Sequence, residues 1–453
     1  MIIQVHRRFS YAFMTSKAIS EIKASALFHT FGCKLNFAET SAVARALAER
    51  GIVRAGKDQT PDIIVVNTCS VTEPAAKKCR QTIRNYARRF PEAAIAVTGC
   101  YAQLKPEEAA KLPGVAIVAG TDRKMKLPEL IETWLIDRQN VIDQIEGNVI
   151  TEFEPSCSYG DRTRRFLKVQ DGCDYRCSYC TIPLARGRSR SGRMDDILLQ
   201  AEQAAREGAK EIVLTGVNIG DFGKGTVHNL LDLIKRLDEI EAVERFRISS
   251  IEPNLLSQEI VDFTAKSRAF MPHFHIPLQA GSDRVLGLMR RRYVTSLFRD
   301  RIEFIRQQLP HAFIGVDIIA GSRGETDEEF KRSEEFVSSL DIQKLHVFPY
   351  SERPGTKALE ITENIVSQEE KHRRVSRLMK ISDDKTASFL RKHSGTVRPV
   401  LVEHTTKNGM MEGFTDNYIR VRLPADPTLR NTIVNVRLGD YISGCETLTG
   451  TIL

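Results

Sequence analysis

The stretch CDYRCSYC, residues 173–180, places Cys173, Cys177 and Cys180 within eight residues. Tetrahedral zinc and ordinary iron-sulfur sites close with a fourth protein ligand. The run holds no fourth cysteine, so its Cys-x3-Cys-x2-Cys spacing suits a 4Fe-4S cluster that leaves one iron free for another ligand. A structural zinc knuckle or three buried thiols is the competing reading. The apolar run RFLKVQ immediately precedes the loop, which therefore follows a strand, the position at which parallel α/β folds carry their chemistry.

Outward from this loop, strands and helices alternate from 159 to 388. The predicted strands are RFLKVQ, EIVLTG, RFRIS, HFHIPL, FIGVDIIA and KLHVFPY, with helices such as Met194 to Glu207 and Asn229 to Leu237 between them. Six strands with right-handed crossovers predict a partial (βα)6 barrel, open on one side.

Upstream, residues 24–145 alternate in the same way: ALFHTF, a helix from Ala38 to Arg50, DIIVVN, a helix from Ala75 to Arg89, AIAVTG, then Pro106 to Leu112. This predicts an α/β domain of Rossmann-like or flavodoxin-like type, a parallel sheet with helices on both faces. Cys33, Cys69 and Cys100 each follow one of these strands, separated by 36 and 31 residues, about one βα unit each. Strand carboxyl ends share one edge of a parallel sheet, so three distant cysteines are expected to converge there. Cys79, Cys157 and Cys445 break the pattern and are assigned no chemistry. The polar stretch EPSCSYGDRTR reads as a linker.

Downstream, residues 391–453 change character. PVLVEH, GMMEGFTDN, YIRVRL, TIVNVRL and YISGCETLTGTIL are short β-like runs separated by Gly, Pro and Asp, as expected of a small antiparallel β-barrel. Eight basic residues face six acidic ones there, and the barrel either binds RNA or caps the larger domain.

The 453 residues exceed one ordinary core and suggest three domains. No apolar run approaches the ~18 residues of a membrane span, and the N-terminus lacks a secretory apolar core. A cytoplasmic protein is expected, with its nine cysteines serving as ligands or core fillers rather than disulfides. The net charge of +8 is clustered. Asp161 to Arg193 carries nine basic residues against three acidic, which beside a cofactor site points to a polyanionic substrate. A second group, Lys77, Lys78, Arg80, Arg84, Arg88 and Arg89, has no acid among it; a solvated helix face is its plain reading.

CDYRCSYC, with Tyr179 before the last cysteine, resembles the signature of radical S-adenosylmethionine enzymes, whose open iron chelates the amino and carboxylate groups of that cofactor. Several later stretches resemble cofactor contacts: Thr215, Gly216 and Asn218 in LTGVNIG, Ser249 and Glu252 in SSIEP, Gln279 and Ser282 in PLQAGSD, and Asp317 in the fifth strand. Gly216 would let backbone approach the methionyl end, and Glu252 or Gln279 would bind hydroxyls or the amino group. With GCKLN, NTC and TGCYAQL upstream and a β-barrel at the end, the order of parts resembles the methylthiotransferases over nearly everything after the first two dozen residues.

That resemblance implies a second, auxiliary 4Fe-4S cluster on Cys33, Cys69 and Cys100, and a terminal barrel similar to the RNA-binding TRAM domain. The lysine in GCKLN is similar to the branch acting on N6-threonylcarbamoyladenosine beside the tRNA anticodon; sister branches act on isopentenyladenosine or on a ribosomal protein aspartate. One S-adenosylmethionine would methylate sulfur at the auxiliary cluster, and a second would yield the radical that takes hydrogen from adenine C2. The implied partners are the tRNA anticodon stem-loop and an electron donor such as a flavodoxin or ferredoxin, with neither membrane nor DNA. GSRGET departs from the family's Gly-x-Pro-Gly-Glu-Thr, and its Arg323 is expected to reach a phosphate or the threonyl carboxylate. A non-catalytic, metal-stabilised RNA-binding protein is the rival of another class.

Overall fold

Ile63–Thr68 and Ala94–Gly99 are buried along their whole length, as strands covered on both faces must be. They form the centre of a parallel sheet in the computed structural model, which describes residues 23–160, 163–405 and 409–453. Residues 1–22, with the stretch read as lacking a secretory core, and Asp161, Arg162 and Lys407 lie outside the described residues.

The first sheet comprises β1 (Ala24–Thr30), β2 (Ile52–Arg54), β3 (Ile63–Thr68), β4 (Ala94–Gly99), β5 (Val115–Ala119) and β6 (Val141–Asp143), in the order β2-β1-β3-β4-β5-β6. This is the flavodoxin-like order, with its reversal between β1 and β3. Alternate residues feed two cores: Ile63 and Val65 face one helix layer, Ile64 and Val66 the other. The helices that matter below are α1 (Lys34–Ala48), α2 (Glu73–Arg89), α3 (Cys100–Leu104), α4 (Pro106–Ala110) and α5 (Leu127–Asp137). Thr72 starts α2 by accepting a hydrogen bond from the Ala75 amide at 3.3 Å, with Glu73 and a proline in the first turn.

The central unit has β7 (Arg164–Lys168), a short hairpin of β8 (Gln170–Asp171) and β9 (Arg190–Ser191), then β10 (Glu211–Thr215), β11 (Arg245–Ile248), β12 (His273–Gln279), β13 (Phe313–Ala320) and β14 (Lys344–Pro349). The six barrel strands form two parallel halves, β7-β10-β11 and β12-β13-β14, joined by isolated bridges such as Ser250 to His275. Phe274, Ile276 and Leu278 of β12, and Ile314, Val316 and Ile318 of β13, pack outward in the core beneath the helices. Strand alternation turns His273, His275 and Asp317 the other way, into the barrel.

The helix Gln368–His393 carries the chain into β15 (Val397–Thr405), β16 (Met410–Thr415), β17 (Arg420–Pro424), β18 (Ile433–Leu438) and β19 (Leu448–Ile452). These close into a barrel in the order β15-β16-β17-β19-β18. It is not wholly antiparallel as predicted, because β17 and β19 pair in parallel. The reason is parity: five strands in a ring cannot all alternate in direction.

Arg245 and Arg247 on β11 fasten this barrel to the central one. Arg245 donates to the Pro399 and Phe414 carbonyls at 2.9 and 3.1 Å, and Arg247 to the Thr415 and Asp416 carbonyls at 2.9 and 2.8 Å. His273 stacks on Tyr418 with ring centroids 4.0 Å apart. Among the described residues no helix is long and apolar enough to cross a membrane.

Candidate active site

Cys33 stands just before α1, Cys69 just after β3, and Cys100 opens α3 at the end of β4, so all three lie at the carboxyl edge of the first sheet. Cys33 and Cys69 flank the reversal of strand order, where such sheets bind ligands. Burial pushes the Cys69 thiol up to about 12, and Cys100 and Cys33 add to that shift. Burial likewise pushes Cys173 up to about 12, with Cys180 and Cys177 adding to it. Cys69 packs against Gly32, the residue before Cys33. Cys79 is buried against the Cys69 carbonyl, and Cys157 and Cys445 belong to neither triad.

Among the described residues the one group of three ligand atoms all within 4.8 Å of one another is His275, Asp317 and His346, not a cysteine set. Three cysteine thiols without a fourth are a donor set that fits a four-iron cluster with one iron left open.

The residues around Cys173 make a polar mouth. Gln170 accepts from the Val217 and Asn218 amides at 2.9 and 2.8 Å, which fixes the loop after β10. Gly216 is pressed against it: a Cβ there would lie 2.9 Å from Gln170 Oε1. Thr215 is buried at the end of β10. Asn218 and Ser249 are buried, yet the Asn218 side-chain amide and the Ser249 hydroxyl have no hydrogen-bond partner among the described residues. Buried polar atoms left unpaired are costly, so this mouth fits a polar ligand such as S-adenosylmethionine. Gln279 ends β12 at φ 67°, beside a shift in the β12–β13 register.

Arg291 was not foreseen from the sequence. Its guanidinium lies 3.0 Å from Cys177 Sγ and 3.5 Å from the Tyr179 hydroxyl, and it pairs with Glu252. Glu252 is thus engaged by an arginine through one carboxylate oxygen. Ser282 is also internal, capping the helix Asp283–Leu288 and bonding Glu329. Arg323 bonds Glu352 at 2.6 and 2.8 Å and the Leu359 and Ile361 carbonyls at 3.3 and 2.9 Å, so its donors do not reach outward as expected.

Several cations of the basic segment around the cysteine loop turn inward, while Arg176, Arg188 and Arg193 stay exposed. Lys168 bonds Glu39 and Asp171 at 3.1 and 2.8 Å, Arg190 bonds Asp171 at 3.0 Å, and Arg164 bonds Glu403 at 2.7 Å. Arg186 is 1% exposed and bonds Glu39, Asp171 and Asn36 at 3.0, 3.0 and 2.6 Å. Burial raises the pKa of the neighbouring Cys100 thiol, and the Arg186 charge opposes that shift. Burial works against the Glu39 charge, but Arg186, Lys124 and Lys168 outweigh it and hold the carboxyl well below its usual range. One buried ion network thus joins α1, the cysteine loop and α6 (Ile182–Arg186).

Inside the barrel His275 Nε2 meets Asp317 Oδ1 at 2.7 Å, with His346 beside them. The alternation in HFHIPLQ carried a signal for these histidines that the sequence reading did not use. Burial lowers the basicity of His273 and His346, and a smaller push the same way comes from Lys34. Burial lowers its own pKa, Arg164 and Arg247 push the same way, and Tyr418 and Glu211 oppose them.

Comparison with known proteins agrees with this geometry. Residues 25–120 match the family described as Uncharacterized protein family UPF0004, and residues 167–337 the Radical SAM superfamily. The threonylcarbamoyladenosine tRNA methylthiotransferase MtaB of Bacillus subtilis is 38% identical over 92% of this chain and 94% of that protein. The chain belongs to the radical SAM tRNA methylthiotransferase family. The MtaB of Thermotoga maritima is 36% identical over 86% of the chain and 89% of that protein, and a tRNA-2-methylthio-N(6)-dimethylallyladenosine synthase of Natranaerobius thermophilus 31% over 90% and 93%. A solved structure of the radical S-adenosylmethionine methyltransferase TsrM from Kitasatospora setae shares the fold, with TM-score 0.53 and 16% identity over 72% of this chain and 75% of that one. This methylthiotransferase is an enzyme whose cofactors are 4Fe-4S clusters and S-adenosylmethionine, which removes the non-catalytic reading.

Proposed function

We propose that the enzyme adds a methylthio group to C2 of N6-threonylcarbamoyladenosine beside the tRNA anticodon, with Cys173, Cys177 and Cys180 holding the cluster that cleaves S-adenosylmethionine and Cys33, Cys69 and Cys100 an auxiliary cluster. The observation that carries it is the pair of cysteine triads on two facing units, tied together by Arg186. Adenine C2 has no leaving group and no acidic proton, so polar displacement and deprotonation are both poor routes. When bound, the cofactors supply the radical and the sulfur; the chain supplies position. Gln170 and Gly216 set the loop after β10, Asn218 and Ser249 offer unpaired polar atoms, and Arg291 holds Glu252 and the Cys177 sulfur.

Two observations favour the threonylcarbamoyl substrate over the isopentenyl one. The Bacillus subtilis and Thermotoga maritima relatives named for the former are 38% and 36% identical, against 31% for the Natranaerobius thermophilus enzyme named for the latter. Lys34 makes no ion pair or hydrogen bond among the described residues, so its ammonium is available to a carboxylate that the isopentenyl group lacks. The electron donor is a flavodoxin or ferredoxin, and the site of action is the cytoplasm.

Cysteine variants test the two roles. Reconstituted protein is expected to hold about eight irons, four per cluster. Changing Cys173, Cys177 and Cys180 to alanine halves that and ends deoxyadenosine formation. Changing Cys33, Cys69 and Cys100 also halves it, but spares deoxyadenosine formation while ending methylthio product. Cofactor cleavage surviving the first change, or methylthiolation surviving the second, contradicts the assignment.

A further inference from the structure

Helix α2 has the sequence EPAAKKCRQTIRNYARR, and its two sides differ in kind. Ala76, Cys79 and Ile83 are buried against the sheet. At 100° per residue, Lys77, Lys78, Gln81, Arg84, Asn85, Arg88 and Arg89 fall on one outward arc of about 140°. All seven are exposed; five are cations and none is acidic.

These cations are not spent within the protein. Among the described residues Lys77, Lys78 and Arg84 make no ion pair or hydrogen bond, Arg88 meets only the neutral Asn85, and Arg89 lies over the Phe90 ring. Several cations nearer the cysteine sites are spent internally: Lys168, Arg186 and Arg190 pair with Glu39 or Asp171, and in the terminal barrel Arg398 pairs with Asp416 and both Arg420 and Arg422 with Glu412.

The location adds a second observation. The first turn of α2 is fixed to the chain that follows β14: Arg353 bonds Glu73 at 3.0 Å, and Ser351 accepts from the Glu73 amide at 3.1 Å. From there the cationic face runs about 18 Å from Lys77 to Arg89. Beside it lies an open groove of about 490 Å³ lined by Gln81, Arg84, Asn85, Ala87, Arg88 and Pro113.

We infer that the outer face of α2 binds the sugar-phosphate backbone of the RNA stem whose loop enters the barrel mouth. The inference rests on the tRNA reading above and adds the surface, which the sequence had left as a solvated helix. Unpaired cations on a rigid helix take phosphates by displacing counterions, without reading sequence. The stem would be held along α2 while the modified base reaches the cysteine sites.

The test compares reconstituted full-length parent with Lys77→Ala/Arg84→Ala/Arg88→Ala and, separately, Lys78→Gln/Arg89→Gln. Alanine and glutamine preserve helix propensity. Binding to tRNA is measured by anisotropy across a potassium chloride series, with iron content and melting temperature checking the fold. The triple variant should bind tRNA at least tenfold more weakly, and its slope of log affinity against log salt should be shallower by roughly two to three. The double variant should lose roughly one to two. A parent that binds tRNA, with both variants matching its affinity and slope, overturns the inference and leaves the enzyme assignment intact. Unchanged tRNA affinity with turnover lost only when an acidic flavoprotein replaces dithionite also overturns it, and gives the face to the electron donor. A parent that does not bind tRNA overturns both readings.

Discussion

Arg186 Nη1 lies 3.0 Å from Glu39 Oε1 in a site where both residues are buried, so the two units that carry the cysteine triads share an ion pair away from water. Removing one partner of such a pair leaves the other charge stranded. Arg186→Ala should lower unfolding stability by about 3–5 kcal/mol, with Arg186→Lys losing less because it keeps the charge without the fork. The midpoint of urea unfolding measures this; an unchanged midpoint contradicts the role.

Much of the site was legible in the sequence because its chemistry sits at strand ends. An apolar run followed by cysteine located Cys33, Cys69, Cys100 and the Cys173 loop without any knowledge of packing. Charged residues were misleading for the same segment. Arg164, Lys168, Arg186 and Arg190 read as a surface for phosphates, yet they pair inward with Asp171 of the same segment and with Glu403 and Glu39 from other parts of the fold. Pairing across 239 residues, as between Arg164 and Glu403, leaves no local trace. The short edge strand Ile52–Arg54 and the strand Val141–Asp143 were missed because three residues are too few to show alternation.

Two glycines hold the auxiliary triad. Gly32 has φ 92°, and a Cβ there would meet Cys69 Cβ at 2.9 Å and Sγ at 3.0 Å; at Gly99, φ 95°, it would meet the Thr68 carbonyl at 2.4 Å. Gly32→Ala and Gly99→Ala should each lose up to half of the iron while deoxyadenosine formation persists. Gly208→Ala, with φ 84° but nothing within 4 Å, should cost only about 1 kcal/mol and keep its iron.

Arg291 places a charged donor 3.0 Å from Cys177 Sγ. Burial works against this charge, but Tyr179 and Glu252 hold it, so the guanidinium stays cationic. Net charge and hydrogen bonds to sulfur set cluster potentials. Arg291→Leu should make reduction harder by on the order of 60 mV, a factor of ten for one electron. A spectroscopic redox titration reads the shift, and an unmoved or more positive potential contradicts it.

His273 gives stability a pH dependence. Burial, with Arg247, Lys34 and His275 adding to it, keeps its imidazole well below the ordinary 6.5. The unfolded chain therefore takes up a proton that the native protein refuses. The contribution is intact above pH 6.5 and falls as the pH drops, by about 1.4 kcal/mol per unit until the native imidazole also titrates. His273→Phe keeps the stacking on Tyr418 and should flatten the fall in melting temperature between about pH 6.5 and 5. An equal slope in parent and variant contradicts the assignment.

The central claim concerns the nucleoside. Reconstituted protein, S-adenosylmethionine and a reductant are incubated anaerobically with tRNA carrying N6-threonylcarbamoyladenosine, with isopentenyladenosine tRNA and with unmodified tRNA, and the digested nucleosides are analysed by mass spectrometry. Only the threonylcarbamoylated nucleoside should gain a methylthio group in place of hydrogen, and Lys34→Met should slow this by at least tenfold. Equal methylthiolation of all three substrates, or of the isopentenyl one alone, would contradict it.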